Sequence, residues 1–177
     1  MKERTDEQLM QAVAGGDLNA FKALVLRYQS LAWKTAYRLL GDSMEAEDAA
    51  QEAFLKLLEA APRYRSIASF RTYFYRILIH LCIDRSRRIP LDNITDVPDI
   101  PDPALDAVER LIARERQAEL REMLDALPPN QRAALILRHY EGLSYGEIAQ
   151  ILSVTPKAVE GLISRARASL QAFLSHL

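Results

Sequence analysis

One cysteine, Cys82, stands among 177 residues, so neither an internal disulfide nor a cysteine-cluster zinc site can form. No stretch approaches the roughly 20 apolar residues needed to span a bilayer. Met1 to Gln8 lacks the apolar run of a signal peptide, and the sequence therefore predicts a cytoplasmic protein that is not exported. Glycine-rich phosphate loops, metal-spaced His/Cys clusters and nucleophile motifs are missing too, which excludes the usual enzyme classes. His80 and Cys82 lie two apart on a predicted helix and point to different faces, while His139 and His176 have no visible partners. Cys82 itself reads as a small buried hydrophobe. The pattern calls for no catalytic residue, no metal, no cofactor and no small-molecule substrate. β-alternation of useful length is absent as well, and the fold class follows: all-α.

What is present suffices for real cores, because 49% of the residues are hydrophobic and 27% charged. The net charge of -1 conceals a segregation. Residues 1–88 carry 14 basic and 11 acidic side chains, residues 89–120 carry 3 and 8, and residues 121–177 carry 6 and 5. Seven arginines fall between Arg63 and Arg88 against Asp84 alone. Such a cluster fits either a phosphate-facing surface or a solvated helix face.

The clearest punctuation runs from Ile89 to Val108, where four prolines and five aspartates interrupt any helical period. It reads as an extended acidic linker over 89–108 between two small helical domains, 1–88 and 109–177. In the first, Phe21, Leu24, Val25, Tyr28, Leu31 and Ala32 form one apolar stripe. After Gly41, Asp42 can cap a second helix whose face carries Ala50, Ala53, Phe54, Leu57, Leu58 and Ala61. A third segment, Phe70 to Arg88, presents Phe70, Phe74, Ile77, Leu78 and Leu81. Downstream, Ala107 to Leu127 and Asn130 to Tyr140 read as helices parted by Pro128 and Pro129.

The most informative stretch follows. Ser144 stands three residues before Glu147, the capping-box spacing, and opens a short helix over Tyr145 to Leu152. Ser153 and Val154 make a tight turn, after which Thr155 can cap, and Pro156 can start, a second helix. Residues 144–170 thus predict a helix-turn-helix, whose second helix can enter the DNA major groove. Spacing alone leaves open a helical hairpin that never meets DNA. The residues facing outward on that helix are Lys157, Glu160, Gly161, Ser164, Arg165 and Arg167, next to Thr155. Lysine and arginine can neutralise phosphate or read guanine, and glutamate can accept from cytosine.

In this order the pieces resemble an extracytoplasmic-function (group 4) sigma factor of the sigma-70 family. The resemblance rests on Phe21-Lys-Ala-Leu-Val-Leu-Arg-Tyr28, Tyr37-Arg-Leu-Leu-Gly-Asp42, Ala46-Glu-Asp-Ala-Ala-Gln-Glu-Ala-Phe-Leu55, Phe70-Arg-Thr-Tyr-Phe-Tyr-Arg-Ile77, Asp84-Arg-Ser-Arg-Arg88 and the stretch 127–170. It implies partners: bacterial core RNA polymerase, promoter DNA with its -35 and -10 elements, and an anti-sigma factor, often one anchored to the inner membrane. It implies polymerase docking through Asp48, Gln51, Glu52, Phe54 and Leu55. The -10 element would be captured and melted by Tyr64, Arg65, Ser66, Ile67, Ala68, Ser69, Arg71, Tyr73, Tyr75 and Arg76, with His80, Arg85, Arg87 and Arg88 beside them. Aromatic faces and a pocket offset the cost of unstacking a base. The -35 element would fall to the helix-turn-helix residues named above, and the acidic linker would run toward the basic path that holds RNA.

Two departures from the family pattern are visible. Tyr73 and His80 stand where tryptophan and asparagine are common, and Ala158-Val159-Glu160-Gly161-Leu162 replaces a more basic run. Two rival readings remain at this point. One is a stand-alone helix-turn-helix regulator that binds DNA without polymerase; the other is a helical adaptor that binds no DNA.

Overall fold

A computed structural model describes residues 3–88 and 107–175, with the backbone alone at 109–112. All regular structure among these residues is helical. The first half folds as α1 (Asp6–Ala14), α2 (Leu18–Leu40), α3 (Ser43–Ala60), a 3-10 turn (Ala61–Arg63) and α4 (Phe70–Ser86). The second half folds as α5 (Ala107–Asp125), α6 (Pro129–His139), α7 (Tyr145–Leu152) and α8 (Pro156–Ser175). Most of the expected linker, residues 89–106, lies outside the described residues. Its last two positions, Ala107 and Val108, are already helical. Pro103 is the last helix breaker before them, so nothing in the sequence delays α5 further.

The boundaries follow from caps. Asp17 accepts from the N–H groups of Asn19 and Ala20, Asp42 from Glu45, Ser69 from Thr72, Ser144 from Glu147 and Thr155 from Ala158. Each satisfies an N–H that the first helical turn leaves without an internal partner. Ser153 adopts φ 57°, the left-handed turn that re-aims the chain between α7 and α8.

α2, α3 and α4 bury their predicted stripes against one another. Leu24, Tyr28, Ala32, Ala53, Phe54, Leu57, Phe70, Phe74 and Leu78 are all buried, whereas Phe21, Val25 and Leu31 are only partly so. Tyr28 meets Phe70 and Phe74 edge-on at 5.2 and 5.5 Å, and Phe54 stacks on Phe74 at 5.0 Å. α1 closes the end of this bundle. The Tyr28 hydroxyl donates to Asp6 at 2.5 Å, and Arg27 pairs with Asp6 and Glu3.

The two halves do not stand apart. One continuous core runs from Leu9 and Phe74 through Ile79 to Leu143, Ile148, Ile151 and Ile163. α7 lies along α4, and α6 lies against α2. Two arginines of the second half also grip the C-terminal end of α2. Arg121 donates to the carbonyls of Tyr37 and Arg38 at 3.0 and 2.8 Å, and Arg132 donates to that of Leu39 at 2.6 Å. These carbonyls lie in the last turn of the helix, at the negative end of its dipole, where that of Tyr37 also accepts the Gly41 N–H at 2.8 Å. Gly41 is required there. Its φ is 72°, and a Cβ would sit 2.8 Å from Arg121 Nε.

Candidate nucleic-acid interface

α3 positions the residues expected to meet polymerase. Its buried side carries Ala46, Ala49, Ala53 and Leu57, so the opposite side faces solvent with Asp48, Gln51 and Leu55, the last 60% exposed. Met44, 77% exposed, completes that stripe at helical spacing and was missed on sequence, although the same period finds it. Two of the five expected contacts are engaged elsewhere. Phe54 belongs to the core under Phe74, and Glu52 pairs with Arg85 at 2.8 Å. Arg85 also pairs with Glu45 at 2.8 Å. It therefore ties α4 to α3 with its charge already matched, while Arg87 and Arg88 are exposed.

The segment between the 3-10 turn and α4 makes a compact projection. Arg65, Ser66 and Ile67 are exposed at its tip, Ile67 at 89%, and the Ile67 N–H turns back to the Arg65 carbonyl at 2.9 Å. Tyr64 and Tyr73 pack edge-on at 5.0 Å beneath it, both half-buried, with Ala68 also partly covered. Ser69 caps α4 from within the chain. A second acceptor comes from α1: the Glu7 carboxylate takes the Phe70 N–H at 2.8 Å. A negative charge at a helix N-terminus is stabilising. Glu7 thus fixes the end of the projection, a role that no local sequence signal announces.

The face of α4 beyond this projection is partly covered by the second half, with Arg76 and His80 still exposed at its edge. Tyr75 is fully buried, and its hydroxyl donates to Glu141 Oε2 at 2.5 Å. Burial and the neighbouring carboxylate push its phenol well above the ordinary tyrosine range. Arg71 donates to the Glu141 carbonyl at 2.9 Å, Arg76 reaches the Ser153 hydroxyl at 3.4 Å, and His80 Nε2 lies 2.8 Å from the Ile151 carbonyl. Tyr75, expected to meet DNA, is sequestered here because α7 needs an apolar bed and α4 supplies it.

The helix-turn-helix is left open on its other side. Thr155, Lys157, Glu160, Ser164, Arg165 and Arg167 are exposed, and Gly161 is partly covered by the Arg165 guanidinium. Glu160, Ser164 and Arg167 line one groove with Tyr145 and Gln171. Arg167 also leans toward His139, 3.4 Å away. A short helix, a three-residue turn and a capped second helix with one polar face make a module able to read the major groove.

A basic aromatic projection on one helical unit and a helix-turn-helix on another suit a DNA-binding protein of two parts. Comparison with known proteins gives the class. The model of sigma-70 region 2 matches residues 24–89, and that of sigma-70 region 4 matches residues 117–170. The RNA polymerase sigma-H factor of Pseudomonas aeruginosa is 34% identical, over 100% of this chain and 97% of its own length. The ECF RNA polymerase sigma-E factor of Escherichia coli is 31% identical, over 96% and 94% respectively. Among solved structures, CnrH in complex with the cytosolic domain of CnrY superposes with a TM-score of 0.75, at 26% identity and over 97% of both chains. The chain belongs to the extracytoplasmic-function sigma factors of the sigma-70 family. It is a transcription-initiation factor that binds RNA polymerase and promoter DNA, and not an enzyme.

Proposed function

We propose that residues 3–88 bind core polymerase and open the -10 element, while residues 107–175 read the -35 element. The observation that carries the division is the pair of exposed polar surfaces at opposite uses of the fold. One is the Arg65–Ser66–Ile67 projection held by Ser69 and Glu7; the other is the Lys157, Glu160 and Ser164 face of α8. Within this reading Met44, Asp48, Gln51 and Leu55 dock on polymerase. Arg65, Ile67, Tyr64 and Tyr73 handle the displaced strand, with Arg87 and Arg88 on phosphates. Splitting recognition between two modules lets two modest affinities multiply. The site of action is the cytoplasm, where polymerase and chromosome are; no helix among the described residues is long and apolar enough to cross a membrane.

Control by an anti-sigma factor belongs to the same reading. Its support is the family resemblance and the likeness, over nearly the whole chain, to CnrH held by a partner's cytosolic domain. The test of the whole is transcription of fragmented genomic DNA by core polymerase with and without the protein. Protein-dependent transcripts with defined starts support the assignment, and their upstream sequences give both elements. Failure to bind core polymerase overturns it in favour of a stand-alone DNA-binding regulator.

A further inference from the structure

Four donors of the first half converge on one carboxylate of the second. Thr35 Oγ1 donates to Glu141 Oε1 at 2.9 Å and the Tyr75 hydroxyl to Oε2 at 2.5 Å. The Arg38 and Arg71 guanidinium groups stand 3.6 Å from the two oxygens, and Arg71 also holds the Glu141 main-chain carbonyl. The Glu141 side chain is only 8% exposed, and Thr35 and Tyr75 are fully buried beneath it. Glu141 reaches this position from the turn between α6 and α7, where Gly142 at φ 64° bends the chain and Tyr140 lies under the Arg38 guanidinium at 4.2 Å.

Two hydroxyls and two guanidinium groups around one acidic group make an anion site with an excess of positive charge. A phosphodiester offers the same single negative charge on two accessible oxygens, so it can replace a carboxylate among these donors. The neighbours follow the same pattern. Arg76 and His80, farther along α4, meet an oxygen of Ser153 and the carbonyl of Ile151. Arg71, Tyr75, Arg76 and His80 of α4 are thus each offered an acceptor, as a nucleic-acid backbone would offer it.

We propose that Thr35, Arg38, Arg71 and Tyr75 form a phosphate site for the promoter strand at the -10 element, occupied by Glu141 in the isolated chain. The inference rests on the assignment of α4 to -10 DNA made above. The site adds α2, through Thr35 and Arg38, to a surface otherwise built from α4 and the projection before it. It also makes the closed arrangement a competitor of DNA: the helix-turn-helix half must leave before the strand can enter.

The test uses the full chain, free and assembled with core polymerase, and a fluorescein-labelled single-stranded 12-mer of mixed sequence as probe. Dyes on the two halves report their separation by energy transfer. In the free protein, Glu141→Gln is expected to raise the separation and to tighten probe binding at least fivefold. In the assembled complex the proposal requires the energy transfer to report separated halves, and Glu141→Gln is then expected to change binding less than twofold. There Thr35→Val and Arg71→Ala each weaken it several-fold, and Arg71→Ala lowers the salt slope by about 0.7. Thr35→Val preserves shape and so guards against loss of the fold.

Halves that separate in Glu141→Gln without any gain in binding overturn the proposal. So does unchanged binding of the assembled Thr35→Val and Arg71→Ala variants while Arg65→Ala binds poorly; that result spares the -10 assignment. Absence of probe binding by the assembled wild-type protein overturns the assignment itself and the site with it.

Discussion

Replacing Glu7 with alanine removes the carboxylate that accepts the Phe70 N–H at 2.8 Å. A side-chain cap at a helix N-terminus contributes about 1 kcal/mol. A negative charge in that position adds about 0.5 kcal/mol through the helix dipole. Ser69 still caps the Thr72 N–H, so α4 itself survives. Because one core joins both halves, the chain is expected to melt as a unit. For a protein of this length 1 kcal/mol moves Tm by about 2–4 °C, so a loss near 1.5 kcal/mol predicts a fall of about 3–6 °C.

Glu7→Gln keeps an acceptor oxygen without the charge and is expected to lose only about 1–2 °C. The functional effect arises because Phe70 ends the projection that carries Arg65 to Ser69. If the lost energy no longer holds that projection in place, promoter opening slows about tenfold. Circular-dichroism melts and permanganate reactivity of unpaired thymines in the assembled complex read the two effects. A melt unchanged within 1 °C would refute the capping role. A lowered melt with normal strand opening would refute the link from cap to projection.

Gly41→Ala combines a left-handed φ of 72° with a Cβ 2.8 Å from Arg121, and urea unfolding is expected to report a loss of about 2 kcal/mol. Arg85→Ala leaves Glu45 and Glu52 unmatched, so stability is expected to fall by about 1 kcal/mol, with DNA affinity less affected than in Arg87→Ala; unfolding and gel-shift titrations separate the two. Glu160→Ala is expected to change base preference at one -35 position, read by selection from a randomised element; unchanged preference at every position rules out base reading by Glu160. Burial pushes the Cys82 thiol up to about 12, so alkylation at pH 8 is expected to be slow in the native protein and fast in urea.

The helices and their ends were legible because they depend on local chemistry. Asp42, Ser144 and Thr155 cap as their spacing predicts, and Pro156 starts α8 as expected. The predicted third segment ends two residues early, with α4 closing at Ser86. Core stripes were legible for the same reason, with Phe54 alone serving two expectations of which the structure fills the packing one. The union of the two halves was not legible. Glu141 sits in an ordinary polar turn, and its partners at 35, 38, 71 and 75 are scattered over two distant helices. Arg121 and Arg132 look like any arginines on amphipathic helices until the carbonyls of α2 are placed beside them. Arg85 counts toward the basic cluster of 63–88, but a sum over sequence cannot see that it pairs with Glu45 and Glu52 across two helices.

The grip on the end of α2 has an evolutionary corollary. Arg121 and Arg132 hold main-chain oxygens, which positions 37, 38 and 39 supply whatever side chains they carry. A substitution at these positions leaves those acceptors in place, although at 38 it also removes a side chain that faces Glu141. The contact at Glu141 depends on four particular side chains and can be strengthened or weakened one residue at a time. The joint therefore pairs a hinge that mutation scarcely touches with a clasp that it can adjust, which lets a lineage retune how readily the molecule unfastens while its overall geometry is inherited intact.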